Sequence, residues 1–329
     1  MLTVLLVRFS SIGDILLTTP LVRALRRRHP DAQLVYVTKR ALTPLVTDNP
    51  HVSRVVALEP GEPVTHLAAR LRTLEPTHGL DLHGSLRSLA LRVLLRCRWS
   101  GYSKRRLARA LLVRVKRDLF SQRTPVPERY FEAARRLGVR PDTNPPEFFL
   151  GAAARARVHH WLRERGFKDR PVVALAPGAA HATKRWPIAN WVAAAERLRD
   201  AGVHLVVVGG PDDRGAAQQL APLAELAAGE FTLQETGALL AHSRAVVSGD
   251  TGVMHMATGV GTPVVALFGP TVEQFGFFPY RARATVLQRD LPCRPCSTMG
   301  SARCPLGHHR CLRDIAPAEV ADAVLRFVA

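Results

Sequence analysis

Short apolar runs alternate with amphipathic segments along most of this chain, and the pattern predicts strands and helices in turn. The predicted strands cover residues 3–7, 33–38, 54–58, 78–82, 172–176, 204–208 and 263–268, with one more ending at residue 247. The predicted helices cover residues 13–28, 42–47, 63–74, 152–165, 188–201, 213–224, 253–260 and 316–328. Such alternation is typical of α/β proteins whose parallel sheets are covered by helices on both faces.

A proline-rich stretch, Pro141-Asp-Thr-Asn-Pro-Pro146, interrupts this alternation and indicates a linker. At 329 residues the chain is long enough for two hydrophobic cores. We therefore predict an N-terminal domain over residues 1–145 and a C-terminal domain over residues 146–329, whose last helix, 316–328, could pack back on the first domain. Two Rossmann-like, doubly wound domains facing a central cleft would bind ligands at the carboxyl ends of their strands.

The segment 246–271 predicts a strand, a tight polar turn, a helix and a second buried strand. The turn brings Asp250, Thr251 and Gly252 to the start of the helix, with His255 one turn later. Because free backbone N–H groups and the positive end of the helix dipole meet there, this turn is suited to bind a phosphate group. The alternative is an ordinary helix cap made by Asp250.

The turn after the first predicted strand carries Gly13 and Asp14 at the start of a helix. Glycine lets a ligand approach the backbone closely, and the helix dipole keeps a carboxylate at this place ionised. Asp14 is therefore either a helix cap or a general base, and the residues of this turn alone leave both alternatives open.

A basic loop follows the strand that ends at Pro177 and Gly178. Its cations, Lys184 and Arg185, could neutralise a diphosphate. The alternative is a solvated basic loop with no ligand.

Another loop, Gly209-Gly-Pro-Asp-Asp-Arg214, follows the strand over residues 204–208. Its two glycines bring the backbone close to the start of the next helix, where Asp212 and Asp213 lie. An acid at this place suits contact with a ribose hydroxyl, and it would also serve as an ordinary helix cap.

The chain has a net charge of +19, and many of its basic residues lie in one acid-free segment, residues 82–117. These are Arg87, Arg92, Arg96, Arg98, Lys104, Arg105, Arg106, Arg109, Arg114, Lys116 and Arg117. The positive electrostatic potential of such a segment attracts nucleic acid, an anionic membrane face or a phosphorylated substrate. Interleaved leucines give amphipathic helices suited to a membrane surface, and a purely solvated basic face is the alternative. With 6% aromatic residues, the chain has few platforms for stacking nucleic-acid bases.

Five cysteines occur, and four of them are crowded near the end of the chain. These four are Cys293, Cys296, Cys304 and Cys311. Their spacing allows a structural metal site, with His308 or His309 as alternative ligands, or free thiols, or a redox disulfide. The fifth, Cys97, falls in an apolar stretch that we interpret as helical, and is expected to be a buried small side chain.

Several function classes find no support in the sequence. No apolar run approaches the roughly 18–20 residues that span a bilayer. The N-terminal apolar run stops at Arg8 and lacks a signal cleavage site, so we expect a cytoplasmic protein. The motifs G-x-G-x-x-G, G-x4-G-K-[ST], H-E-x-x-H and G-x-S-x-G do not occur.

Taken together, these turns closely resemble the ADP-heptose–lipopolysaccharide heptosyltransferases, glycosyltransferase family 9. The matching blocks are Ser11-Ile-Gly-Asp14-Ile, Lys184-Arg-Trp-Pro187, Gly209-Gly-Pro-Asp, Asp250-Thr-Gly-Val-Met-His255 and Gly261-Thr-Pro-Val-Val-Ala-Leu-Phe-Gly-Pro-Thr271. They cover nearly the whole chain in the right order. The segment Cys304-Pro-Leu-Gly-His-His-Arg-Cys311 looks most like the heptosyltransferase II branch.

This resemblance implies a GT-B fold and inverting, metal-independent transfer of heptose from ADP-heptose to the phosphorylated inner core of lipopolysaccharide. It implies that Asp14 is the general base and that Lys184 stabilises the leaving diphosphate. The donor-binding residues expected on this basis are Gly13, Pro177, Gly178, His181, Asp212, Asp213, Asp250, Thr251, Gly252 and His255. The acceptor-binding residues expected in the acid-free segment are Arg92, Arg96, Lys104, Arg105 and Arg106.

The expected partners are ADP-heptose, the phosphorylated acceptor and the anionic cytoplasmic face of the inner membrane, where the protein would be peripheral; no nucleic acid is expected. No cofactor is expected for catalysis, and a structural metal at the four clustered cysteines stays open. Ala179 and Ala180 replace hydroxyl residues that often contact phosphate in the family, so backbone N–H groups or His181 would make that contact. The alternatives are a transferase for another nucleotide sugar or acceptor and, more distantly, a basic nucleic-acid-binding protein with a cysteine metal module.

Overall fold

Two parallel β-sheets organise this chain, one in each of two units. The computed structural model describes residues 1–167 and 171–329. The first unit consists of Met1–Lys104 and Val126–Phe149, and the second of Arg105–Pro125 and Leu150–Ala329. The α/β class predicted from the alternating pattern is confirmed. The predicted domain boundary after residue 145 lies close to the passage between units at Phe149.

A five-stranded sheet forms the centre of the first unit. Up to residue 130 the elements are β1 (Thr3–Val7), α1 (Ile12–Leu16), α2 (Thr19–Arg28), β2 (Gln33–Lys39), β3 (Arg54–Leu58), α3 (Val64–Arg72), β4 (His78–Asp81), α4 (Leu86–Leu94), β5 (Arg98–Gly101), α5 (Arg106–Val115) and α6 (Val126–Tyr130). All of them except α5 belong to the first unit. The strand order is β3-β2-β1-β4-β5, and all neighbours are parallel.

The central strand β1 is buried along its whole length, as its unbroken apolar run predicts. Leu5 and Val7 pack with Val35 of β2 and with Leu67 of α3 and Leu91 of α4. Because β1 and β4 are parallel neighbours, the residues that follow them emerge together at the carboxyl edge of the sheet. This packing fixes the place at which α1, with Asp14, begins.

The predicted helix over residues 13–28 is divided into two. Helix α1 ends at Leu16 and α2 begins at Thr19. Pro20 lies in the first turn of α2, where a missing N–H is tolerated, whereas a continuous helix would need that donor. Asp14 therefore belongs to a short helix of five residues rather than to a long one.

Strand β5 was not predicted, because Arg98-Trp-Ser-Gly101 contains one large apolar side chain and lies at the edge of the sheet. Its Trp99 covers Gly79 of β4, where a Cβ atom would come within 2.4 Å of the indole ring. Cys97 lies between α4 and β5, so its predicted helical position is wrong. The thiol is half-buried, and burial raises its pKa to about 11.

A six-stranded parallel sheet forms the centre of the second unit, in the order β11-β10-β9-β6-β7-β8. Its elements after residue 150 are α7 (Ala152–Glu164), β6 (Val172–Ala176), α8 (Ile188–Asp200), β7 (His204–Val207), α9 (Arg214–Gln218), β8 (Glu225–Leu226), α10 (Leu233–His242), β9 (Ala245–Gly249), α11 (Gly252–Gly259), β10 (Val264–Phe268), β11 (Ala284–Gln288), α12 (Arg310–Arg313) and α13 (Pro317–Val328).

Four elements after residue 150, β8, α10, β11 and α12, were not predicted, and α9 is shorter than the helix expected over residues 213–224. Strands β8 and β11 are the two edges of the sheet, where an apolar run is not required. Helix α10 had a readable signal at its start. The Glu235 N–H donates to the Thr232 hydroxyl, and the Thr232 N–H donates to the Glu235 carboxylate, which is a capping box.

The basic segment Arg105–Pro125 belongs to the second unit, whereas the sequence pattern placed it in the N-terminal domain. Arg109 donates to the Thr298 carbonyl at 2.9 Å, and Lys116 donates to the Pro295 carbonyl at 2.6 Å. These partners lie far along the chain, and composition does not reveal them. The acid-free segment is therefore shared between the two units.

The last helix, α13, packs against α8, β9 and β10 of the second unit. Val320 and Val324 are buried in the same core as Trp191 of α8. The indole N–H of Trp186 donates to the carbonyl of Ile315, just before the helix, at 3.2 Å. Its apolar face thus covers the sheet of its own unit.

Candidate functional site

Four neighbouring strands of the second sheet end in loops that carry candidate residues. The order β10-β9-β6-β7 is parallel throughout, so the loops after these strands leave the same edge of the sheet. In that order the loops carry Thr271, Asp250, Lys184 and Asp213. The fold therefore gathers on one edge residues that the sequence distributes over a long stretch of chain.

A buried ion pair lies at the centre of this edge. Lys184 Nζ lies 2.7 Å from Asp250 Oδ2 and donates to the Asp250 carbonyl at 3.2 Å. The Thr271 hydroxyl donates to the same Oδ2 at 2.8 Å. The side chains of Lys184 and Asp250 are 14% and 8% exposed, so water screens their charges poorly. We call Lys184, Asp250 and Thr271 the edge cluster.

Helix α11 begins directly after the edge cluster, and its N-terminus is not capped by the residue that the sequence suggested. The Asp250 carboxylate is engaged by Lys184 and Thr271. In the described part of the chain, Thr251 makes no capping bond, and its hydroxyl lies 3.0 Å from Ser248 Oγ. The first N–H groups of α11 and the Lys184 ammonium thus form one electropositive edge, which is suited to an anion.

Two glycines allow the Asp213 carboxylate to lie between the loops after β6 and β7. A Cβ atom on Gly178 would come within 1.9 Å of Asp213 Oδ1, and one on Gly209 within 2.7 Å of Oδ2. The Gly210 N–H donates to Oδ2 at 2.9 Å. Asp212 is exposed beside it. Of the two candidate acids, Asp213 is the one held at the edge of the sheet.

The other donor-site candidates of the second unit differ in burial. Pro177 is buried directly after β6, and His255 is 4% exposed within α11, which Gly252 begins. His181 lies against Gly300, where a Cβ atom would come within 2.7 Å of the His181 Cβ. The loop after β6 therefore packs against residues 293–311, which carry the four clustered cysteines and which we call the cysteine-bearing segment. The sequence did not suggest this contact.

In the first unit, a buried arginine holds Asp14 at the end of β1. Arg8 Nη2 lies 2.6 Å from Asp14 Oδ1, and Arg8 also donates to the Leu82 carbonyl after β4 at 2.5 Å. Ser11 donates to Asp14 Oδ2 through its hydroxyl at 2.8 Å and its N–H at 3.2 Å, and the second of these is the capping contact. Gly13 is buried within α1. The Asp14 side chain remains 19% exposed.

Burial and charge act in opposite directions on Asp14. Burial alone would raise the pKa of this carboxyl, but the Arg8 charge and the Ser11 hydrogen bonds outweigh burial and hold the pKa below its usual value. Asp14 is therefore ionised at neutral pH. Close by, burial and the charges of Arg8 and Lys104 lower the pKa of His83 to about 4, so its imidazole is neutral there.

The candidate acceptor residues do not gather in one unit. Arg92 and Arg96 are exposed, on α4 and just after it, and Lys104 ends the first stretch of the first unit. Arg105 and Arg106 begin the segment that belongs to the second unit. These residues were grouped by shared composition, which does not report where a side chain packs.

The C-terminal cysteines are free thiols. Cys311 is buried, and burial raises the pKa of its thiol to about 11. Cys293 Sγ lies 4.0 Å from His308 Nε2. Over residues 1–167 and 171–329, no group of three or more His, Cys, Asp or Glu side chains is arranged to hold a metal ion. The metal-site alternative therefore has no ligand set in that part of the chain.

Two residues of these sites were missed from the sequence, Arg8 and Thr271. In the sequence, Arg8 only marks the end of an apolar run. The signal that could have pointed to Arg8 was its position, because it is a cation directly after a buried strand and shortly before Asp14. Thr271 lies 21 residues after its partner Asp250, and no local pattern reports such a contact.

The chain is similar to several known proteins over most of its length. A model of glycosyltransferase family 9 (heptosyltransferase) matches residues 64–306. The lipooligosaccharide heptosyltransferase 2 of Haemophilus influenzae is 25% identical, over 87% of this chain and 88% of its own length. A glycosyl transferase family 9 structure from Veillonella parvula has a TM-score of 0.84 at 22% identity, covering 99% of this chain and 97% of that one. The E. coli ADP-heptose lps heptosyltransferase II has a TM-score of 0.77 at 23% identity, covering 99% and 98%. The family resemblance and the GT-B fold are confirmed.

The Arg8–Asp14 pair should make the stability of the protein depend on pH. Arg8→Met removes the cation, so burial should raise the pKa of Asp14 above its unfolded value. In the wild type the folded pKa is depressed, so stability from Asp14 is present above a pH of about 4 and is lost as the pH falls through the folded value. We therefore expect the difference in unfolding free energy between wild type and Arg8→Met to grow from about pH 3 to pH 6, reaching about 3 kcal/mol.

Urea unfolding at a series of pH values measures this difference. Arg40→Met is the control, because it breaks an exposed ion pair with Glu59 and should change the unfolding free energy little at any pH. A difference between wild type and Arg8→Met that stays constant with pH would show that Arg8 does not govern the ionisation of Asp14.

Proposed function

Because this chain belongs to glycosyltransferase family 9, the heptosyltransferases, we propose that it transfers a heptose from ADP-heptose to the phosphorylated inner core of lipopolysaccharide. The observation that carries this proposal is the edge cluster at the N-terminus of α11, which is suited to hold the diphosphate of a nucleotide sugar. The E. coli structural relative is an ADP-heptose lps heptosyltransferase II. The likeness of Cys304–Cys311 to the same branch supports heptosyltransferase II as the specific activity.

On the donor side, we assign the diphosphate to the N-terminus of α11 and to Lys184. Negative charge builds up on the diphosphate as its bond to the heptose breaks, and a preorganised ammonium and helix N–H groups stabilise that charge. The bonds that Asp250 accepts from Lys184 and Thr271 both end on Oδ2. We therefore assign Oδ1 to a heptose hydroxyl, and Asp213 to a ribose hydroxyl.

On the acceptor side, we assign the general base to Asp14. Its carboxylate is ionised at neutral pH, so it can accept the proton of the acceptor hydroxyl. Because the depressed pKa makes it a weak base, the proton should move late, when the new bond to the anomeric carbon has made the hydroxyl acidic. One displacement then forms the glycosidic bond, breaks the bond to the diphosphate and inverts the anomeric carbon.

Metal independence is part of the same proposal. In many transferases a divalent cation neutralises the leaving diphosphate, whereas here Lys184 and the α11 N-terminus would supply that positive charge. Transfer should therefore need neither a metal nor another cofactor.

We also propose that the protein binds the anionic cytoplasmic face of the inner membrane peripherally. In the described part of the chain, no helix is long and apolar enough to cross a bilayer. On α4, however, Leu86, Leu89 and Val93 are exposed and follow helical spacing, and Arg87 and Arg92 are exposed on the same helix. Apolar side chains flanked by arginines are suited to an anionic lipid surface.

The reaction itself can be tested with two acceptors, a heptose-free core and a core that carries one heptose. We expect release of ADP from ADP-heptose with the mono-heptosylated core, and we expect this release to persist in EDTA. Release with the heptose-free core alone would reassign the branch. No release with either acceptor would contradict the proposed function.

The general base can be tested with Asp14→Asn, which keeps the size of the side chain and removes its charge. We expect transfer to fall about a thousandfold, with the dissociation constant of ADP, measured by calorimetry, within about twofold of wild type. Asp31→Asn, on an exposed turn, serves as the control. Transfer within about tenfold of wild type would mean that Asp14 is not the base.

Membrane binding can be tested by co-sedimentation with vesicles of phosphatidylglycerol or of phosphatidylcholine. Wild type should bind the anionic vesicles, and added salt should weaken this binding. The triple variant Leu86→Ser, Leu89→Ser and Val93→Ser should bind them at least about tenfold less, because three apolar side chains no longer enter the interface. Leu306→Ser, an equally polar change at an exposed site of the other unit, should bind as wild type does. Equal binding to both lipids would refute the proposed binding to an anionic membrane face.

A further inference from the structure

The cysteine-bearing segment, residues 293–311, contacts the loop that carries Thr271. Arg294 donates through Nε to the Gly269 carbonyl at 2.5 Å and through Nη2 to the Thr271 carbonyl at 2.7 Å. The Cys296 N–H donates to the carbonyl between them, that of Pro270, at 3.3 Å. Three consecutive carbonyls after β10 are thus held by one short segment.

The guanidinium of Arg294 makes four hydrogen bonds here. Besides the two loop carbonyls, it donates to Gln288 Oε1 at 2.9 Å and to the Arg289 carbonyl. All four of these acceptors are neutral, so no ion pair explains why an arginine lies here. The planar geometry of its N–H groups does. A planar fork of N–H groups can reach several carbonyls at once, whereas a lysine ammonium on a flexible chain cannot hold them in one geometry.

The loop that Arg294 holds also carries a side chain of the edge cluster. The Thr271 hydroxyl donates to Asp250 Oδ2, which pairs with Lys184. The loop follows the end of β10, so the sheet no longer orders its backbone. The direction of the Thr271 hydroxyl therefore depends on what holds the carbonyls of this loop.

We propose that Arg294 is a positioning residue of the donor site, which aims the Thr271 hydroxyl at Asp250 and thereby fixes the carboxylate that pairs with Lys184. This inference deepens the proposed function and rests on it. It also gives the cysteine-bearing segment a role, that of a strap across the carboxyl edge of the sheet.

A second contact of the same strap supports this role. Ser301 binds Thr183, the residue before Lys184, in both directions. The Thr183 N–H and hydroxyl donate to the Ser301 carbonyl at 3.1 and 3.0 Å, and the Ser301 N–H donates to the Thr183 hydroxyl at 2.8 Å. The strap therefore holds the loops on both sides of the Lys184–Asp250 pair.

A double-mutant cycle tests whether Arg294 acts through Thr271. The variants are Arg294→Lys, Thr271→Val and the two combined, with kcat and KM for ADP-heptose measured by ADP release. Each single change should lower kcat/KM about tenfold, and the double variant should be no worse than the poorer single variant within about twofold. Thr271→Ser, which keeps the hydroxyl, should restore most of the loss. Independent effects that multiply to about a hundredfold would overturn the inference.

Hydrogen exchange provides a readout that does not require transfer. In Arg294→Lys, the amides of residues 250–252, of Gly269 and of Thr271 should exchange about tenfold faster than in wild type, with the rest of the second unit unchanged. Arg310→Lys, an exposed arginine of α12, should exchange as wild type does. Unchanged exchange in these two loops, or a rise spread evenly over the unit, would overturn the inference. A wild type that releases no ADP would instead contradict the proposed function, and the exchange result would still decide the role of Arg294.

Discussion

The ion pair between Lys184 and Asp250 is the interaction on which the site of the second unit depends. A lysine beside the N-terminus of a helix is repelled by the helix dipole unless a counter-charge lies close to it. Asp250 supplies that charge at 2.7 Å, and Thr271 holds the carboxylate in place. The parallel order of β10, β9 and β6 brings the three residues to one edge. In the function we propose, a bound diphosphate uses the cation that this pair keeps in place.

The first unit uses a related arrangement with the roles reversed. There the cation, Arg8, is the buried partner, and the carboxylate of Asp14 keeps an exposed side. Because a guanidinium does not lose its proton, it is a permanent counter-charge, and it keeps Asp14 ionised despite burial. Each of the two sites thus contains an ion pair at a strand end. In our proposal the Asp14 carboxylate of the first unit accepts the acceptor's proton, and the Lys184 ammonium of the second unit stabilises the leaving diphosphate.

The central strands and the acids that follow them could be predicted from the sequence. The residues that hold those acids in place through contacts distant in the chain could not. A run such as Val172–Ala176 must be apolar because both faces of the strand are buried, whereas the edge strand Arg98–Gly101 needs no such pattern. Turns between strands and helices recur at one edge of a parallel sheet, so Asp14 and Asp250 were found from local pattern alone. Arg294, by contrast, meets a loop 25 residues earlier in the chain, and only the fold creates that contact.

In the function we propose, the edge cluster receives the diphosphate of the donor. A crystal structure with ADP bound is the decisive experiment. We predict phosphate oxygens within hydrogen-bond distance of the Lys184 ammonium and of the first N–H groups of α11, with the ribose beside Asp213. ADP bound elsewhere on the chain, with the Lys184–Asp250 contact unchanged at 2.7 Å, would contradict this claim.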